Sequence, residues 1–209
     1  MKRQSTAQQV HAVGHGRAAR AADAGVRCFW NRVMESDPKF LETRITQLSQ
    51  SIEFLFEERF IVPSLILLYS AIDILGWLAR PTGNAKSGRR DFMSWVDTYL
   101  LSEANLDVTS LELYGARCGL LHSYSAFSEL KEVRALLYHY GSGDFSRVSY
   151  ETVKEGRAVV VRIEDLQAAF RRGTLRFLSE EEHTADRWKL ICSRAANAFY
   201  YIPAKIGGT

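Results

Sequence analysis

Phe60-Ile-Val-Pro-Ser-Leu-Ile-Leu-Leu-Tyr-Ser-Ala-Ile-Asp-Ile-Leu-Gly-Trp-Leu-Ala79 decides the fold, because its length suits either a bilayer span or the central helix of a bundle. Arg59 and Arg80 bracket it, as they would a span. Asp73 weighs the other way. An aspartate in mid-helix costs about 2.5–3.5 kcal/mol on insertion, and Pro63, Ser64, Ser70 and Gly76 lower the apolar gain. A helical bundle also needs one helix that is apolar nearly all round. The segment is therefore read as the buried centre of a bundle that does not cross a membrane.

The neighbouring segments supply the rest of that bundle. Upstream, Asp37 can cap a helix and Pro38 can occupy its first turn, after which Leu41, Ile45, Leu48, Ile52 and Leu55 form one apolar stripe ending near Glu58. Downstream, Arg80-Pro-Thr-Gly-Asn-Ala-Lys-Ser-Gly88 is a loop by its proline and glycines, and Lys86, Arg89 and Arg90 make it basic. A third helix follows, with Phe92, Trp95, Val96, Tyr99 and Leu100 on one side. Thr109-Ser-Leu-Glu112 has the spacing of a capping box and predicts the start of a fourth. Residues 128–140 read as an amphipathic helix with Leu130, Val133, Leu137 and Tyr140 inward, stopped by Gly141.

Beyond that point the pattern changes. Val148-Ser-Tyr-Glu-Thr-Val153 and Ala158-Val-Val-Val-Arg-Ile163 are β-branched runs flanking Lys154-Glu-Gly-Arg157, which predicts a β-hairpin. Helices over about 164–178 and 181–200 follow, the first with Leu166, Phe170 and Phe177 inward. The fold class is mainly α: a helical bundle core over 38–140, then a small C-terminal β-hairpin and two further helices within 145–203.

Composition limits the partners. A chain of 209 residues, 46% hydrophobic, can bury one sizeable core. Of the net charge of +3, the six cations and one acid of the first 32 residues contribute +5, which leaves the remainder at −2. Residues 1–33 are read as a disordered basic Ala/Arg-rich arm and 34–209 as one domain, with Met34 a second plausible start. A slightly acidic domain does not coat nucleic acid by bulk charge, so any RNA contact has to be local. Cys28, Cys118 and Cys192 are odd in number and far apart, which fits reduced thiols in the cytoplasm. No metal-ligand spacing and no glycine-rich phosphate loop stands out, so neither metal nor cofactor is expected.

Arg117-Cys-Gly-Leu-Leu-His122-Ser-Tyr124 is the stretch that carries chemistry. It pairs a permanent cation with an imidazole able to move a proton near neutral pH, as phosphodiester cleavage requires. Positions five apart on an ideal helix point about 140° away from each other. Arg117 and His122 therefore converge only if Gly119 distorts the helix or a partner group comes from elsewhere. Each residue also has a purely structural reading: Arg117 paired with Glu112 or Asp73, His122 as a helix-terminal histidine, Tyr124 as a packed aromatic. Asp73 either orients Arg117 or faces a cleft. Arg134-Ala-Leu-Leu-Tyr-His139 repeats the Arg-to-His spacing without the tyrosine, and its polar residues are read as ordinary side chains near a helix surface.

Arg117-x4-His122-x-Tyr124 between helices of an α-bundle resembles the HEPN superfamily, in particular its ribonuclease toxins, over roughly residues 38–140. The resemblance implies a homodimer with the two motifs facing each other. It also implies metal-independent RNA cleavage by the 2′-OH, with Arg117 and His122 of both chains as catalytic groups and a role in toxin–antitoxin or defence systems. Tyr124 is then the regulatory or RNA-contacting position, open to adenylylation by a minimal nucleotidyltransferase partner, and Asp73, Cys118 and Ser123 are supporting residues. Many members place Asn, Asp or His where this chain has Cys118, which hydrogen-bonds poorly. A non-catalytic scaffold that binds a nucleotide or a protein through the same groove is the alternative.

Overall fold

A computed structural model describes residues 38–82, 88–123, 133–141, 156–179 and 183–198. The basic arm 1–33, the run 148–153 and Tyr124 lie outside the described residues. The structure is mainly helical: α1 (Pro38–Glu57), α2 (Ile61–Ala79), α3 (Arg89–Trp95), α4 (Ser110–Ser123), α5 (Ile163–Leu178) and α6 (Ala185–Ala198), with two short strands, β1 (Ala135–His139) and β2 (Ala158–Arg162). The α1 stripe is as expected, with Leu41, Ile45 and Ile52 buried and Leu48 packed against the core.

α2 is the hub. It packs against α1, α3, α4 and α6 and buries Leu65, Leu68, Tyr69, Ile72, Leu75 and Leu78. By length and composition it is apolar enough to cross a membrane, and half of that span is buried by its neighbours. Its polar residues are satisfied within the bundle. The buried Ser64 hydroxyl donates to the Ile52 carbonyl at 3.0 Å and accepts from Gln167 at 3.2 Å, tying α1 and α5 to α2. Gly76 lets α3 come close, for a Cβ there would sit 2.8 Å from the Asp91 carbonyl oxygen.

After α3 the backbone widens into a π-helical turn, Val96–Leu100, and tightens into a 3₁₀ turn, Leu101–Glu103. Gly173 of α5 accepts the widened turn: a Cβ at that position would lie 2.6 Å from the Tyr99 carbonyl oxygen. Phe92, Trp95, Val96 and Leu100 are buried as their spacing predicts.

One expectation is overturned, and a strand pairing that was not expected appears. Residues 135–139 form a strand and not the end of a helix, and β1 pairs with β2 in parallel, Ala135 opposite Ala158 through His139 opposite Arg162. Parallel neighbours cannot be joined by a tight turn, so this pair is not the expected hairpin, whose first strand, 148–153, lies outside the described residues. Ala135-Leu-Leu-Tyr138 is a short apolar run that suits a strand as well as a helix by periodicity alone. Tertiary context decides, through the valines of β2 and a 2.5 Å hydrogen bond shared by the buried Tyr69 and Tyr138 hydroxyls. Burial pushes both phenols well above their usual range, so they stay protonated. The two last helices are found, each within a few residues of its expected bounds.

Candidate functional site

The site is built where α4 lies against α2. α4 starts at the predicted capping box: the Thr109 amide donates to the Glu112 carboxylate at 2.8 Å and the Glu112 amide donates to the Thr109 hydroxyl at 3.2 Å. From that fixed start the helix runs unbroken through Gly119 to Ser123. Arg117 lies in it nearly two turns before its end, and His122 lies in the last turn. Without a distortion at Gly119, the two side chains of one chain diverge by about 140°.

Arg117 is tied to Asp73. Its Nε donates to Asp73 Oδ2 at 2.8 Å and its Nη2 reaches the same oxygen at 2.7 Å, with the side chains 22% and 31% exposed respectively. Burial raises the Asp73 carboxyl above its ordinary range, and the bond to Arg117 and its charge pull it only partway back. Burial works against the Arg117 cation, and its bonds and attraction to Asp73 outweigh that, so the guanidinium is held more firmly protonated than a free one. Of the two partners foreseen for Arg117, Asp73 and not Glu112 is taken.

Around this pair is an aromatic and thiol environment that the motif did not indicate. The Arg117 guanidinium stands 5.9 Å from the centre of the Tyr114 ring, and Arg89 from α3 stands 5.8 Å from the same ring. Phe92 meets that ring edge-on. The Cys118 thiol lies close to the Tyr114 phenol, and its sulfur is 4.0 Å from Arg117 Nη1, a weak contact. Burial and then the neighbouring thiol raise the Tyr114 phenol. Tyr114 lies one helical turn before Arg117 and Cys118, and that spacing is the signal which would have found it.

The remaining predicted residues are dispersed. His122 is exposed at the end of α4 and has no partner among the described residues. Ser123 is the last residue of the helix, and Tyr124 falls outside the described residues. Arg134 and His139, read as bland helix-surface residues, do not lie on a helix at all. Arg134 bridges to the buried Glu112 through two bonds, one of them 3.2 Å, and donates to the Asp107 carbonyl at 3.0 Å; His139 ends β1 within electrostatic reach of Glu164. Arg134 thus braces the start of α4, which is why a search on spacing alone misjudged it. Cys118 and Cys192 are free thiols, and no three His, Cys, Asp or Glu among the described residues are grouped to hold a metal ion. No family model, curated protein or solved structure matches this chain.

Proposed function

We propose that this protein is a metal-independent endoribonuclease of the HEPN type, cutting RNA at a site formed by Arg117 and His122 of two copies and acting in a toxin or defence system. One observation carries the reading. Among the described residues, Asp73 fixes one edge of the Arg117 guanidinium while Nη1 meets only the Cys118 thiol, and the imidazole of His122, on the same helix, is exposed and uncommitted. A positioned cation and a free imidazole are what the reaction needs. The 2′-OH attacks the adjacent phosphorus as a base takes its proton, an acid protonates the departing 5′ oxygen, and a cation stabilises charge on the phosphoryl oxygens. The products are a 2′,3′-cyclic phosphate and a 5′-hydroxyl.

The divergence of Arg117 and His122 along one α4 favours a two-fold arrangement, in which each chain supplies what the other's geometry withholds. Two imidazoles then serve as base and acid. Within this proposal Tyr124 is the control point, as the acceptor for a nucleotidyltransferase partner. A second reading, a non-catalytic module that binds a nucleotide or a protein, is favoured by the same ion pair, since Asp73 already takes two of the Arg117 donors. Incubation of RNA with the wild type and with His122→Ala, in excess chelator, separates the two. The nuclease cuts with EDTA present and leaves cyclic-phosphate ends, and His122→Ala loses 10²-fold or more, as about expected for a general acid–base. No cutting by the wild type leaves the binding module.

A further inference from the structure

The C-terminal end of α2 gathers three guanidiniums with no carboxylate bonded to any of them among the described residues. Arg194 of α6 donates to the carbonyls of Leu78, Arg80 and Pro81, and Arg187 donates to the Arg80 carbonyl at 2.9 Å. Those bonds close the end of the helix, where cations are favoured. They do not account for Arg80. Its guanidinium lies 5.2 Å from the centre of the Trp77 ring, and its Nε and Nη1 are buried with no acceptor among the described residues. Buried donors of a charged group are costly when unmet, and here the neighbours are cations as well. Burial, and then the charges of Arg80 and Arg187, hold the Arg194 guanidinium below its usual pKa; Asp91 offsets them in part, and its carboxylate is also engaged by the Gly88 amide at 3.2 Å.

We propose that Arg80, Arg187 and Arg194 form a binding site for a phosphate group. A phosphate group supplies the negative charge that the trio lacks, and it supplies an acceptor for Arg80 once that side chain, whose Nε and Nη1 are buried, swings outward so that its guanidinium fork faces the anion. Its place in the fold says which phosphate. Asp73, Trp77 and Arg80 recur at four and three residues along one face of α2, so the site lies about 10 Å along that face from the carboxylate that holds Arg117. The partly buried Trp77 ring stands between them as a surface on which a base can stack. Resting on the ribonuclease reading, the site takes a backbone phosphate of the single strand that Arg117 and His122 cut.

The test uses the full chain with two probes: inorganic phosphate, followed by thermal shift, and a short single-stranded RNA with 2′-O-methyl riboses, which binds but cannot be cut, followed by fluorescence anisotropy. Arg80→Met keeps the aliphatic cover over Trp77 and removes the donors, and Arg187→Met is the second variant. Each should weaken the oligonucleotide about tenfold, and Arg80→Met should lessen the slope of log affinity against log salt by about 0.7, the single-strand value for one phosphate. Lys189→Met, an exposed cation on the same helix, should leave binding unchanged. Wild-type affinity for both probes in Arg80→Met overturns the site, as does an equal loss in Lys189→Met. Phosphate binding that depends on Arg80, with oligonucleotide binding that does not, assigns the site to a small free anion. The ribonuclease reading is judged separately: if the wild type cuts no RNA while Arg80-dependent binding persists, that reading falls and the phosphate site stands.

Discussion

Replacing Arg117 with alanine removes the only cation bonded to Asp73 among the described residues and leaves its partly buried carboxylate without that partner. Breaking a fully buried pair costs about 3–5 kcal/mol and a surface pair about 0–1. With the two side chains 22% and 31% exposed, the loss falls between these limits, at about 1–2 kcal/mol or a fall in Tm of about 2–8 °C for a chain of this size. The pH dependence identifies the cause. Burial already raises Asp73, and loss of Arg117 raises it further, so the added cost is full at pH 7, where the carboxylate is charged folded and unfolded. It shrinks as pH falls through the raised folded value and vanishes below the unfolded one. Urea unfolding of Arg117→Ala and of Asp73→Asn/Arg117→Ala, at pH 7 and near pH 4, measures this. The double variant should be the more stable of the two at neutral pH. A loss equal at both pH values, or one that asparagine does not relieve, would refute the reasoning.

Two further outcomes follow from the packing around the site. Glu112 lies on the other side of the balance from Asp73: burial raises it, but the bonds from Arg134 and Thr109 outweigh that and hold it below the usual carboxylate range. Its contribution is present above the unfolded pKa and lost as pH falls through the folded one, so Arg134→Ala should cost about 1–2 kcal/mol at pH 7 by urea unfolding and less in acid. A pH-independent loss would dissociate the two residues. Gly76→Ala places a methyl 2.8 Å from the Asp91 carbonyl oxygen, and the shift it forces between α2 and α3 should cost about 1–3 kcal/mol. An unchanged Tm would mean that the helices separate freely.

How much of this was legible in the sequence depends on the range of the interaction. The capping box of Thr109 and Glu112, the stripe of α1 and the all-round apolar α2 are local patterns, and the chain displays each within a few turns. β1 is not local. Ala135-Leu-Leu-Tyr138 becomes a strand because Val159, Val160 and Val161 lie alongside and Tyr69 meets Tyr138, contacts no window around residue 135 contains. The site shows the same division. That Arg117 needs a carboxylate follows from its chemistry, but that Asp73 lies within its reach while Glu112 is bonded by Arg134 is shown only by the folded chain. Arg80, Arg187 and Arg194 are brought together by the packing of α6 on the end of α2, and their separation in sequence conceals them.

Asp73 also matters to the order in which the chain is made. α2 leaves the ribosome as a bilayer-length apolar segment before α3, α4 or α6 has been synthesised, so the contacts these helices make with it do not yet exist. In that interval the carboxylate has no arginine to answer it, and the about 2.5–3.5 kcal/mol that an aspartate costs in mid-membrane weighs against insertion when little else does. The residue that later anchors the guanidinium on the finished bundle thus first sets, while Arg117 is still unmade, a cost on membrane insertion of the nascent helix.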